Sequence, residues 1–310
     1  MTRTNRVDAL SDVAVCYLCL DGGADETSQS LRRDCAFRGT DAGYVHLECL
    51  AGFAASKSKQ ARDMIECIKP WRLCPGCHQE YQNELAVDIA AEFVPFVRRQ
   101  YPDDTRMQVE ALNVKLRVLN SMFERLQPRQ KREFGVTANV MLSLIDRMKG
   151  DTLSPLPRRY SQFEARAYDV HGEIALDEGT EESARRAEVH FRTSLKVCEA
   201  TGDTDGIAAA KSNIAMAKSI YEGGNNEEVL KANKELYELR VAKHGEGSKL
   251  AINSGKNYAI DLQEANRGDE ALELMTKLLA TSRQVLGPHH NTTKEVEATL
   301  NHVLDTLGEV

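Results

Sequence analysis

Two hydrophobic rhythms divide the chain. From about Asn83 to Lys149, apolar residues return every three or four positions: Leu85, Ile89, Phe93, Phe96 and Val97 in one run, then Leu112, Leu116, Leu119, Met122 and Leu126. That spacing places them on one stripe of a helix and predicts helices with a single buried face. Pro102 and Pro128 interrupt the runs and belong near first helical turns, where a missing N–H is harmless. GDTLSPLPR, Gly150 to Arg158, is a proline-containing linker. Ahead of the helical region the pattern is different, with glycines, cysteines and short strand-like pieces such as Tyr44-Val45-His46-Leu47.

Beyond the linker the chain repeats itself. Three turns, Thr201-Gly202-Asp203, His244-Gly245-Glu246 and Leu286-Gly287-Pro288, are spaced by 43 and 42 residues. Each follows an amphipathic run such as Ala271 to Leu279. Within repeats, Gly172 and Ala184 stand twelve apart, as do Ala259 and Ala271. Small residues at that separation fall where two antiparallel helices cross, because larger ones would hold the backbones apart. Asn257 to Thr293, with its closing Leu286-Gly287-x-x-His290 turn, resembles the tetratricopeptide repeat in the long form of kinesin light chains. Asn213-Ile214-Ala215 keeps the register in the middle repeat, where Gly223-Gly224 adds two residues to the turn, and no Trp occupies the usual first-helix position. The resemblance implies three repeats and a closing helix near Thr292 to Leu307, about the minimum for a self-supporting stack. A plain helical bundle is the alternative.

Composition narrows the class. Aromatics are only 6% of the chain, which favours helix-on-helix packing, and the net charge of -7 argues against a nucleic-acid partner. The basic run Arg129, Lys131, Arg132 reads as a solvated helix face. No stretch approaches a membrane span, and the N-terminus lacks the apolar core of a secretory signal. The expected location is therefore cytoplasmic, with the nucleus left open, and the sequon Asn291-Thr292-Thr293 carries no meaning there. In a reducing compartment eight cysteines are not a disulfide framework, and seven of them precede residue 80. That clustering points to metal.

The candidate ligands are Cys16-x2-Cys19, Cys35, His46-x2-Cys49 and Cys74-x2-Cys77. A two-residue gap lets two donors of one turn reach one ion. Buried structural cysteines, a thioredoxin-like redox pair and a Cys49–His46 nucleophilic dyad are weaker readings of the same residues. The ligand order resembles the RING-CH finger. So do Val45-His46-Leu47-Glu48-Cys49-Leu50 followed by Phe53, and Cys74-Pro75-Gly76-Cys77-His78-Gln79-Glu80-Tyr81. A PHD finger shares the order, but Trp71 stands three residues before the last pair instead of two.

The resemblance implies two zinc ions on interleaved pairs: Cys16, Cys19, His46 and Cys49 in the first site, and Cys35, Cys74 and Cys77 in the second. Where the family has a further cysteine this chain has Phe37, so the second site is incomplete. Cys67 or His78 could complete it, or Phe37 could fill the corner by apolar packing. Cys198 reads as a core or groove residue, and His289 and His290 need no metal.

The expected architecture is thus a small zinc-bound α+β RING-like finger with an all-α TPR-like solenoid. Its parts are a disordered tail at 1–12, the finger at 13–82, a helical connecting region at 83–149, the linker at 150–158 and repeats over 159–310. Whether the connecting helices extend the stack or bridge two parts stays open. The resemblance implies a soluble ubiquitin-protein ligase that uses Leu18, Phe53 and Pro75 to dock a ubiquitin-conjugating enzyme while the repeats recruit a peptide or protein. Such ligases act by positioning and have no catalytic residue of their own. The competing reading is a non-enzymatic scaffold with a structural finger. A PHD-like chromatin reader would need an aromatic cage from Tyr17, Phe37, Tyr44, Phe53, Trp71 and Tyr81. No membrane partner is expected.

Overall fold

The computed structural model describes residues 15–22, 31–32, 44–151, 156–222 and 226–308. The expected tail at 1–12, Cys35, Phe37, the Gly223-Gly224 insertion and part of the linker lie outside them. The chain divides into two compact units, Met1–Phe96 and Val97–Val310.

In the first unit, α1 (Leu47–Lys59) starts directly after His46, whose backbone is extended. The strand-like pattern at 44–47 therefore ends in a helix. Among the described residues pairing is limited to two isolated bridges, Arg32 with Val45 and Leu73 with Glu80, so the β part of the expected α+β finger is reduced to single bridges. The short α2 (Met64–Ile68) is started by Asp63, whose carboxylate accepts from the Glu66 N–H. A 3-10 turn, Lys69–Trp71, then leads toward α3 (Asn83–Gln100), which runs across the division between the units.

Trp71 is the centre of this unit's core. It is 2% exposed, with Phe93 and Phe96 each 5.0 Å away, ring centre to ring centre. Its Nε1 donates to Ser58 Oγ at 2.8 Å, and Ser58 Oγ donates to the Cys67 carbonyl at 2.7 Å. The polar edge of the indole is thus satisfied inside the core, and Trp71 is not available to an aromatic cage.

The second unit is helical throughout its described residues: α4 (Thr105–Asn120), α5 (Pro128–Gly150), α6 (Arg158–Leu176), α7 (Glu181–Thr201), α8 (Thr204–Tyr221), α9 (Asn226–His244), α10 (Lys249–Glu264), α11 (Gly268–Val285) and α12 (Asn291–Gly308). Each helix packs on the next, and α4 also touches α6, α6 touches α8 and α10 touches α12. That is a stack of helix pairs, with α12 closing the last one. Helices α4 and α5 join it as a first pair, so the stack begins ahead of the region where the repeat pattern is visible in the sequence.

Local chemistry explains the joints. Pro128 opens α5, where its missing N–H is tolerated. Gly202, Gly245 and Gly287 have φ of 65°, 83° and 88°, a left-handed conformation that side chains resist, so each repeat turn needs its glycine. At the crossing of α6 and α7 a Cβ on Gly172 would overlap the ring of Phe191, and Phe191 itself is fully buried. Ala184, Ala259 and Ala271 are also fully buried.

Candidate metal centre and interaction face

The first cysteine pair sits on a tight turn. Leu20 N–H returns to the Cys16 carbonyl at 2.8 Å and Cys16 N–H reaches the Asp21 carbonyl at 2.9 Å. The second pair repeats this arrangement: His78 N–H to Cys74 carbonyl at 2.9 Å, Cys74 N–H to Gln79 carbonyl at 2.9 Å. In both turns the residue after the second cysteine is left-handed, Leu20 at φ 65° and His78 at φ 59°. Two non-glycine residues in that region are unusual, and here they close the two C-x-x-C turns. The equal spacing of the two motifs was the available signal for these turn positions, but sequence reasoning passed over Leu20 and named His78 only as a possible ligand.

The first turn is brought to α1 by a hydrogen bond from Tyr17 N–H to the Tyr44 carbonyl at 3.0 Å, with Val45 bridged to Arg32. His46 then enters as the residue capping α1, and Cys49 lies within its first turn. The result is a cluster in which one donor atom each from Cys16, Cys19, His46 and Cys49 lies within 4.8 Å of all the others. His46 Nδ1 is 3.4 Å from Cys19 Sγ and 3.9 Å from Cys49 Sγ. Tetrahedral zinc with ordinary bond lengths would space sulfur and nitrogen by about 3.5 Å. His46 Nε2 faces away, buried and without a hydrogen-bond partner.

The thiols compete for charge. Burial pushes the Cys16 thiol up, but backbone hydrogen bonds from Cys19, His46 and Leu18 outweigh it and leave the group at about 7. Burial first, then the Cys19 and Cys16 sulfurs, push Cys49 up to about 12. Crowded sulfurs of this kind cannot all ionise unless a cation offsets their repulsion. The cluster could therefore hold a metal ion, and three sulfurs with one imidazole nitrogen are compatible with zinc.

The remaining candidates are placed differently. Cys74 is buried and Cys77 half-buried, and Arg72 pairs with Glu80 at 2.6 Å across their turn. Among the described residues neither Cys67 nor His78 joins them in a group of three donors. Cys67 is buried, its carbonyl accepting from the Ser58 hydroxyl that also takes the Trp71 indole N–H, and His78 is exposed. Leu18, Phe53 and Pro75 are each half-buried, with Lys57 Nζ 5.7 Å from the centre of the Phe53 ring. Cys198 is a core residue of α7 at 3% exposure, and burial pushes its thiol up to about 11.

In the second unit polar groups line the even-numbered helices. Arg166 of α6 donates to Asn113 Oδ1 of α4, and Arg159 pairs with Glu110. With its amide turned to suit the contact, Asn120 donates to the Glu173 carboxyl. Lys256 of α10 meets Glu295 of α12 at 3.2 Å, and Gln263 donates to Thr306 at 2.8 Å. Burial, then the charge of Asp169, raises Glu173 to about 8, and burial raises Asp169 to about 6. Deeper in, Ser212 donates to Asn233, which donates to Asp261 at 2.6 Å. No single motif marks this face in the sequence, because the contacts between even-numbered helices join residues from different pairs.

No family model matches the chain, and no curated protein matches it. Among solved structures it is similar to BtubC (BKLC) from P. vanneervenii, at 16% identity over 72% of this chain and 83% of that one, with a TM-score of 0.48. It is also similar to a Podosopora anserina protein of kinesin light chain type with nearly identical TPR-like repeats, at 11% identity over 77% of this chain and 95% of that one, with a TM-score of 0.38. No described helix is long and apolar enough to cross a membrane.

Proposed function

We propose that this chain is a zinc-organised interaction scaffold. Zinc on Cys16, Cys19, His46 and Cys49 would tie the first turn to α1, and the helical stack would take a protein segment along the face of α4, α6, α8, α10 and α12. The observation that carries the reading is the set of polar contacts joining even-numbered helices, Arg166 with Asn113, Lys256 with Glu295 and Gln263 with Thr306. Such groups, repeated at helix spacing, can hydrogen-bond the backbone of an extended segment. A photo-crosslinking residue at exposed Asn257 on α10 should capture the bound partner. The same residue at Val189, 63% exposed on α7, should not. Capture from Val189 alone would overturn the assignment of the face.

A finer reading makes the finger a docking site for a ubiquitin-conjugating enzyme. The matched turns favour it, since each presents a half-buried apolar residue, Leu18 or Pro75, beside its sulfurs. Zinc would supply rigidity there and the partner enzyme the chemistry. Autoubiquitination across a panel of conjugating enzymes should then appear and be lost in Leu18→Ala. Inactivity with every enzyme would leave the scaffold alone. The second zinc site of this reading is tested at Phe37. Phe37→Cys should raise bound zinc to two per chain, and an unchanged content would mean that the ligand alignment fails.

A further inference from the structure

One ion pair joins the first helix pair of the stack to its closing helix. The connector between α4 and α5, residues 121–127, holds one 3-10 turn, Phe123–Arg125. From it Arg125 reaches Glu295 of α12 at 3.6 Å, and the same carboxylate takes Lys256 of α10 at 3.2 Å. Arg125 belongs to the first helix pair and Glu295 to the closing helix, so this ion triad is a chord past α6 and α8 and not a contact between neighbours. The connector is anchored on its own pair: Phe123 lies 5.8 Å from Phe134, with Lys131 Nζ 4.7 Å above the Phe123 ring. At its root Asn120 holds Glu173 of α6.

We propose that Arg125 and Glu295 form a clasp between the two ends of the stack, and that the clasp opens to widen the face of α4, α6, α8, α10 and α12 when a protein segment enters. The proposal rests on the reading of that face as a binding face. A stack of pairs is elastic because each pair turns slightly on the next, and small rotations add up at the ends. The Arg125 side chain is 53% exposed and that of Glu295 32%, so the link is weak and screened by salt. Those are the properties of a contact that opens readily. Glu295 keeps Lys256 when Arg125 leaves, so α12 stays attached to α10 in the open state.

The test uses the full chain, with spin labels attached to noncanonical residues introduced at Arg129 and Asn301, both exposed and both outside the triad. At low salt the dipolar distance distribution should be narrow and short. Arg125→Glu should lengthen and broaden it. About 1 M salt, where the screening length is near 3 Å, should do the same to the parent chain and change nothing further in Arg125→Glu. A distribution indifferent to both salt and Arg125→Glu would overturn the clasp. The salt arm needs no substitution in the triad, so a folding defect in the variant cannot hide the answer. Since no partner is present, failure here removes the clasp and leaves the crosslinking test of the binding face independent.

Discussion

The two units are held together in different ways. The helical stack is a sum of neighbours: each helix meets the next along a continuous stripe, and its joints need only a glycine or a cap. The N-terminal unit has little of that. Among its described residues it has two single-residue bridges, a Trp-centred core, and four metal-type donors drawn from two segments 27 residues or more apart between Cys19 and His46. Such a unit concentrates its ties at one aromatic cluster and one donor cluster, whereas a stack spreads its stability over many similar contacts.

The largest expected effect tests that difference directly. Chelation, or His46→Ala, should disrupt the N-terminal unit, since structural zinc contributes on the order of 10 kcal/mol to small modules of this kind. Trp71 is the chain's one tryptophan, so its emission reports that unit while far-ultraviolet dichroism reports mainly the stack. Trp71 should shift to the red with most helicity kept. A parallel loss of both signals would show that the units do not fold separately. Next in size is Phe191→Ala, which empties a fully buried site at the α6–α7 crossing and should destabilise the stack by about 3–5 kcal/mol. Trp71 emission should not change under native conditions.

The third test is pH. Glu173 has its carboxyl raised from 4.5 to about 8, first by burial and then by Asp169, so the folded state binds that proton more tightly than the unfolded chain does. Its stabilising contribution is complete below about pH 4 and is lost as pH rises through about 8. Burial lowers His171 and His190, whose rings lie 5.3 Å apart, and they act in the opposite direction only below about 6.5. Between pH 6.5 and 8 the stack should therefore lose about 1–2 kcal/mol, and Glu173→Gln should flatten the slope. Parallel profiles for parent and variant would exclude Glu173 as the cause. The smallest effect is Gly245→Ala, which forces a side chain into a left-handed turn and should cost about 1 kcal/mol, read as a lower midpoint of helix melting.

Much of this was legible in one dimension. The period of Leu85, Ile89, Phe93 and Val97 located a helix, the 43- and 42-residue spacing of Gly202, Gly245 and Gly287 located the repeat turns, and the two C-x-x-C pairs located tight turns. These are all local matters, set by which side chains share a helical face and which backbone angles a residue tolerates. The strand-like pattern at 44–47 misled because four residues cannot distinguish a strand from the approach to a helix, and His46 caps α1.

Tertiary structure decided the rest. It converged Cys16, Cys19, His46 and Cys49 on one point while leaving Cys67, chemically identical, buried outside that cluster. It joined α4 and α5 to a stack whose repeat pattern begins only later, and it carried Arg125 across to Glu295. Each of these joins residues distant in the chain. Spacing along a sequence determines what a turn or a helix presents, but where two such pieces meet depends on the summed rotations of everything packed between them.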